Sequence, residues 1–345
     1  MYHPRRRTFA GALFHSVSQL SAPSVIPEPA ATLPPLRIGY ANASPATVLA
    51  EPGVLAAIGF GHADAIDDAR FVRIGLEVVG ESLIEVWRSR GTVRSGRDGD
   101  LRWSTDGNYS MFAIEVAEPG DDDITAAAEH AYQEITRAVA ASATPHVLRL
   151  WNYFDAINVG DGDDERYRRF CVGRVRGMNG FWRETFPAAT AIGRRDGVRV
   201  LQVYALAARI AGVPVENPRQ VNAWRYPREY GPTAPTFARG MSTPAGQFLI
   251  SGTAAVVGSS SRHEDDVGAQ LEETLKNIES LVTTADATLL GNGANLLKVY
   301  VREPRDAALI EARLREALSG LDGLLILNGD ICRRELLVEI DGARL

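Results

Sequence analysis

One order of segments occurs twice in this chain, and that duplication limits the available folds more than any other feature. In the C-terminal half, residues 247–257 (QFLISGTAAVV) are rich in β-formers and bracketed by glycines, which predicts a strand. Asp265 and Asp266 then precede Val267, Leu271, Leu275, Ile278 and Val282, whose three- and four-residue steps predict a helix with one apolar face. Aspartates at that place accept from the free N–H groups of the first turn and complement the helix dipole. A Gly/Asn loop, a strand over 295–301 (NLLKVYV), a helix over 306–318 and strands over 324–327 and 336–340 complete this half.

The N-terminal half runs in the same order. A strand is expected over 110–116, then a helix capped by Asp121–Asp123 with Ile124, Tyr132, Ile135 and Val139 on its apolar face. A strand over 146–154, a helix carrying Tyr167, Phe170 and Phe181, and a strand over 198–206 follow. Side by side, the helices pair Ile124 with Val267, Ile135 with Ile278 and Val139 with Val282. The next strands pair Leu148-Arg149-Leu150-Trp151 with Leu297-Lys298-Val299-Tyr300. Element order, acidic cap and apolar register agree together, which favours a true duplication over the chance likeness of two β-α-β stretches. The expected fold class is α+β (α/β), two domains that are each a mixed sheet with helices on one face. The domains are placed at 36–230 and 231–345, divided near the Pro/Gly cluster of Pro227–Pro235. Residues 1–35, with Pro23, Pro27, Pro29, Pro34 and Pro35, read as a flexible N-terminal arm.

Composition narrows the function. The 345 residues suffice for two cores, and 45% hydrophobic with 23% charged residues is the balance of a globular protein. The net charge is −6 and no basic block exceeds Arg5-Arg6-Arg7, which argues against a nucleic-acid partner. No apolar run approaches the roughly 20 residues that span a membrane. Cys171 and Cys332 stand far apart in unlike contexts, so free thiols in a reducing cytoplasm are expected. There is no GxxxxGK[ST], no Rossmann GxGxxG in strand context, no HExxH and no paired CxxC, and the six histidines are scattered. Neither a cofactor nor a metal is expected. The partner is a small molecule, and the protein is a monomer or a homo-oligomer.

Specific segments carry a resemblance. The strand with its SGT turn, the helix DDVGAQLEETLKNIESLV, the strand LLKVYVRE and the closing LLVEI resemble the Rid (YjgF)/chorismate-mutase-like fold. The N-terminal half matches it through Phe186-Pro187-Ala188 and the strand after, with Gln202 where the alignment places Glu339. The tandem arrangement resembles the chorismatases through 248–257 (FLISGTAAVV), 297–302 (LKVYVR) and 330–340 (DICRRELLVEI), the last being the most specific. Rid-like domains place their sites in clefts between neighbouring domains, and a fused pair builds such a cleft within one chain. The resemblance implies an enzyme that removes pyruvate from chorismate. A Cys at position 332 goes with the branch that makes 3-hydroxybenzoate. The hydrolytic branch yields trans-3,4-dihydroxycyclohexa-1,5-diene-1-carboxylate instead, and the surroundings of Ala254 and Ala255 bear on that choice. A Rid-type enamine/imine deaminase and a non-catalytic ligand-binding module are the alternatives. The carboxylate-gripping Arg of the deaminases would fall near Leu324–Leu327, an apolar run, which counts against the first.

The chemistry sets demands of its own. Chorismate is a dianion, which calls for two positioned cations, best supplied by the planar fork of Arg. Arg149 and Arg302 lie in or at the end of equivalent strands, either as ligands or on a polar strand face, and Arg239 is a further candidate. Loss of pyruvate needs a proton on the enol-ether methylene carbon, and a buried carboxyl group with a raised pKa is the natural donor. Period-2 alternation turns Glu339 away from Val338 and Ile340. That alone leaves it as either a solvent-facing residue or an acid, and the resemblance selects the acid. Cys332 has Arg333 and Arg334 beside it but no His base, which argues against a covalent nucleophile. The resemblance to the chorismatases implies for it a part in proton movement after the C4 hydroxyl attacks the neighbouring ring carbon. Tyr204, with Trp151, Tyr153 and Trp224, either walls the substrate ring or packs in the core.

Overall fold

The computed structural model describes residues 32–345 apart from 62, 122, 183–184, 286–294 and 319. Ahead of the duplicated segments lies a region for which patterning predicted no elements. It forms β1 (Arg37–Ala41), the short helix α1 (Pro45–Leu49), β2 (Val54–Phe60), β3 (Phe71–Ile74), β4 (Glu77–Val78) and β5 (Ile84–Arg88). Four of these strands make a sheet in the order β1-β5-β2-β3.

The first repeat comprises β6 (Arg94–Asp98), β7 (Leu101–Thr105), β8 (Tyr109–Ala117), α2 (Ile124–Ala141), β9 (His146–Asp155), α3 (Arg166–Met178), β10 (Ala188–Arg194) and β11 (Val200–Ala208). The second begins with β12 (Val213–Val215), β13 (Gly240–Ser242) and β14 (Phe248–Thr253), and a small hairpin of β15 (Val256–Val257) and β16 (Ser260–Ser261) follows. It continues through α4 (Val267–Ala285), β17 (Asn295–Val301), α5 (Ala307–Ala317), β18 (Leu321–Asn328), β19 (Asp330–Ile331) and β20 (Val338–Arg344). The repeat sheets run β6-β7-β8-β11-β9-β10 and β12-β13-β14-β20-β17-β18, the same order step by step. Both contain one parallel pair, β9/β10 and β17/β18, enclosed by antiparallel neighbours. The duplication and the α+β fold class therefore stand. Each sheet also gains an end strand from elsewhere, β19 beside β10 and β4 beside β18.

The hydrogen-bond register shows that two of the expected correspondences differ by two residues: Gln202 lies opposite Tyr153 and Tyr204 opposite Trp151, whereas Glu339 lies opposite Tyr300. Pairing Gln202 with Glu339 pairs Tyr153 with Tyr300, and pairing Trp151 with Tyr300 pairs Tyr204 with Glu339. A slip of two residues keeps every side chain on the same face, so alternation does not choose between them. Phe181 also lies outside α3, which ends at Asn179 in a left-handed conformation (φ 43°). β12 already belongs to the second sheet, so sheet membership changes well before Pro227–Pro235. Residues 1–31 of the expected arm and most of the Gly/Asn loop before β17 lie outside the described residues. Within residues 32–35, Leu33 is buried and its N–H donates to Pro244 O, and Tyr109 Oη donates to Pro34 O, whereas Thr32 and Pro35 are exposed.

The helices behave as their sequences require. Asp123 caps α2 by accepting from Ala126 N at 3.0 Å, and Asp266 accepts from Ala269 N at 2.9 Å at the start of α4. α2 buries Ile124, Tyr132, Ile135 and Val139 in one cluster with Leu150 and Phe154, and α4 buries Leu271, Ile278 and Val282 in another with Val299 and Ile340. Each such side chain contributes about 1.5–3 kcal/mol of burial. The opposite faces of both repeat sheets meet the N-terminal sheet in a third cluster, where Trp87, Trp151, Tyr153, Tyr204, Tyr300 and Leu327 pack together. No helix among the described residues is long and apolar enough to cross a membrane.

Candidate active site

A cavity of about 280 Å³ opens where the two repeats meet. The first repeat supplies Asp161, Glu165, Tyr167 and Arg168 from the start of α3 and the loop before it. The second supplies Gly252 and Ala254 from β14 and its end, residues 332–336, and Glu339 from β20. A third wall, with Tyr226, Tyr230, Phe237 and Arg239, comes from the segment between β12 and β13. Hydrogen bonds through Ser251 hold the repeats together beside the site: its Oγ donates to Ala238 O at 2.6 Å and accepts from Ala189 N at 3.0 Å.

Glu339 is placed by strand alternation. Val338 and Ile340 enter the core under α4, and Glu339 points to the opposite face, 4% exposed. Its carboxyl lies so close to Gly252 that a Cβ there would fall on Oε1. Burial, reinforced by Asp341, pushes the Glu339 carboxyl up to about 8 against the pull of Arg149 and Arg239. Cys332 lines the cavity half-buried. Burial and the neighbouring Glu339 push its thiol up, against Arg333, so it stays a thiol at neutral pH.

Two cavity arginines are held by neutral acceptors. Arg239 donates to Val221 O at 2.9 Å and Tyr226 Oη at 2.7 Å; Arg333 donates to Ser259 O at 2.8 Å and Ser261 Oγ at 3.1 Å. Arg333 also sits 4.2 Å from the Tyr230 ring centre. The other two are paired, Arg168 with Glu165 at 3.0 Å and Arg334 with Asp161 at 3.1 Å. Among the described residues no group of three or more His, Cys, Asp or Glu is placed to hold a metal ion.

The structure brings Glu339, Cys332 and Ala254 to this cavity, and Arg239 with them. It does not bring Arg149, Arg302 or Tyr204. Arg149 is 1% exposed, bonded to Thr190 Oγ1 at 2.6 Å and stacked over Trp151 at 4.7 Å. Tyr204 is fully buried, with Trp151 stacked on it at 4.5 Å and Lys298 donating to its hydroxyl at 3.0 Å. Arg302 serves the loop beside the cavity. It donates to Leu336 O, Asp330 Oδ1, Asn158 Oδ1, Ile331 O and Arg333 O, and so holds residues 330–336 in place. The expectation that Arg149 and Arg302 face one cavity thus fails, because β9 turns Arg149 into the interior and Asp330 captures Arg302. Tyr153 is likewise buried, and Trp224 packs under Arg225 outside the cavity.

The family model described as "Chorismatase FkbO/Hyg5-like, N-terminal" matches residues 85–207. A 3-hydroxybenzoate synthase from Streptomyces hygroscopicus is 36% identical over 280 residues, covering 76% of this chain and 81% of that protein. The chain belongs to the chorismatase family. A chorismatase from Streptomyces rapamycinicus is also 36% identical, with 76% of this chain and 82% of the other covered. A chorismatase crystal structure superposes with a TM-score of 0.79 at 28% identity, over 91% of this chain and 99% of that one. In this chorismatase-family chain, Tyr226, Tyr230 and Phe237 escaped sequence reasoning because Pro and Gly made their segment read as a boundary. The signal present was composition: residues 224–239 (WRYPREYGPTAPTFAR) interleave aromatics with arginines, which a plain linker does not need.

Proposed function

We propose that the cavity binds chorismate and releases pyruvate from it, with Glu339 as the general acid. The observation that carries this reading is a buried carboxyl group that keeps its proton near neutral pH, in a cavity that also holds two arginines with neutral partners. Arg239 and Arg333 answer the two substrate carboxylates locally, which the net charge of −6 does not. Tyr226, Tyr230 and Phe237 border the ring. Glu339 gives its proton to the enolpyruvyl methylene carbon, and the resulting oxocarbenium ion makes pyruvate a leaving group. The C4 hydroxyl then attacks the neighbouring ring carbon as that carbon's bond to the pyruvyl oxygen breaks, giving an epoxide while the hydroxyl proton returns to the Glu339 carboxylate. The C4–O bond of the epoxide then opens, and loss of the proton on the former ether carbon gives 3-hydroxybenzoate. Cys332, a neutral thiol beside Glu339, assists proton movement in that second stage. A binding module without chemistry has no use for a carboxyl group kept protonated at this cost.

Incubation with chorismate, with pyruvate assayed enzymatically and the ring product identified by chromatography, tests the reading. Equimolar pyruvate and 3-hydroxybenzoate are expected. Cys332→Ala should still release pyruvate while the product ratio moves toward the dihydroxy diene. No pyruvate from chorismate sinks the proposal, and diene from the unaltered enzyme assigns it to the hydrolytic branch.

A further inference from the structure

Behind Glu339 lies a cluster of charges that the reaction as described does not use. Asp341, two residues along on the same face of β20, is 1% exposed. Its Oδ2 accepts from Tyr300 Oη at 2.8 Å and Thr190 Oγ1 at 2.9 Å. Arg149 approaches that oxygen at 3.4 Å, and Lys298 Nζ lies 3.8 Å from the other. Lys298 donates in turn to Glu85 Oε2 at 2.7 Å, and Trp87 Nε1 holds the second Glu85 oxygen at 2.6 Å. Four buried charged side chains from three sheets therefore meet: Glu85 on β5, Arg149 on β9, and Lys298 and Asp341 on β17 and β20. None of the four lines the cavity.

Such burial costs several kcal/mol per ion in desolvation, so the cluster is an expensive way to hold sheets together. Counted at formal charges it holds two anions and two cations, and it is balanced only while Glu339 is neutral. The groups that face Glu339 are few. Asp341 and Arg149 lie behind it, Arg239 lies on the cavity side, and Cys332 and Tyr167 are beside it with thiol and phenol pushed up chiefly by burial. Burial alone would lower the Lys298 ammonium, but Asp341 and Glu85 hold it well above its ordinary value, so the cation in the cluster is permanent.

We propose that Asp341 is a positioning residue of the reaction: the Glu85–Lys298–Asp341–Arg149 cluster fixes a negative charge behind Glu339 and keeps the proton on the acid until substrate takes it. The inference rests on the reading of Glu339 as proton donor. Substrate reinforces the effect, because a carboxylate on Arg239 cancels the cavity-side cation that favours the ionised acid.

The test is the pH profile of pyruvate release. In the unaltered enzyme kcat/KM falls about tenfold per unit above about 8, where Glu339 of the free enzyme loses its proton. Asp341→Asn removes the nearest anion and should move that alkaline limb to lower pH by about one unit or more, and Glu85→Gln, which removes the more distant anion, should move it the same way by less. Lys298→Gln removes a cation and should move it to higher pH. A purely structural role lowers the rate at every pH and leaves the limb in place. An unmoved limb in the folded variants, or one that moves the same way for Glu85 and Lys298, overturns the proposal. Infrared spectroscopy needs no cluster variant: the band of a protonated carboxyl group, assigned by its loss in Glu339→Gln, should persist at pH 7, and its absence there also overturns it. The two readings fail separately. A Glu339→Gln enzyme with full turnover removes the acid itself, whereas an inactive one with an unmoved limb in the Asp341 variant removes only the role of Asp341.

Discussion

As the proposed acid, Glu339 would concentrate the chemistry of the site in one side chain, and its burial carries a cost. The fold raises its carboxyl from about 4.5 to about 8, so between those values the folded protein holds a proton that the unfolded chain has lost. Stability contributed by this group is therefore full at low pH and declines as pH rises through that window, by an amount on the order of a few kcal/mol. Glu339→Gln keeps the size of the side chain but carries no transferable proton. Pyruvate release should fall by about 10²–10⁴-fold. Thermal melting at pH 8 should show the same variant more stable than the unaltered protein, with the difference vanishing near pH 4. Equal melting temperatures at pH 8 would contradict the buried, proton-holding state of this carboxyl group.

At the scale of elements, the site depends on how two pieces of chain are held. The first is α3, which brings Tyr167 and Arg168 to the cavity rim and lies against α2. Gly173 and Gly177 make that approach possible, since a Cβ at either would strike the backbone carbonyl of Thr125 or Glu129. Gly173→Ala should cost about 1–3 kcal/mol through overpacking, read from the denaturation midpoint. The second is the loop over residues 332–336, fastened by Arg302 and by Gln270, whose amide donates to Glu335 O at 2.8 Å and accepts from Leu337 N at 2.8 Å. Arg302 and Arg333 should therefore separate in kinetics. Arg333→Ala should weaken substrate binding by about 1.5–3 kcal/mol and act mainly on KM. Arg302→Ala should lower kcat and stability together, because the whole loop that presents Cys332 and Arg333 loses its anchor. An Arg302→Ala enzyme that changes only KM would return Arg302 to direct substrate contact.

On the scale of the whole molecule, the two repeats and the N-terminal sheet share one interior. Trp87, Trp151, Tyr204 and Tyr300 come from all three sheets and lie in a single cluster. Calorimetry should accordingly show one cooperative unfolding transition for residues 32–345, and two separated transitions would show that the repeats fold independently. The sequence by itself determined what is local or periodic. The caps at Asp123 and Asp266, the helices with their inward faces, the doubled strand order and the turning of Glu339 away from Val338 and Ile340 all follow from steps of 2 and 3.6 residues. Tertiary structure alone decided which polar groups meet. Period-2 patterning puts Arg149, Lys298, Tyr300 and Asp341 on one side of their sheets but cannot say whether that side faces substrate, solvent or another sheet. The sheets packed over Arg149 and Tyr204, while Arg239, Arg333 and the Tyr226–Phe237 segment reached the cavity. Those contacts join residues tens to hundreds of positions apart, through irregular chain that carries no period to read.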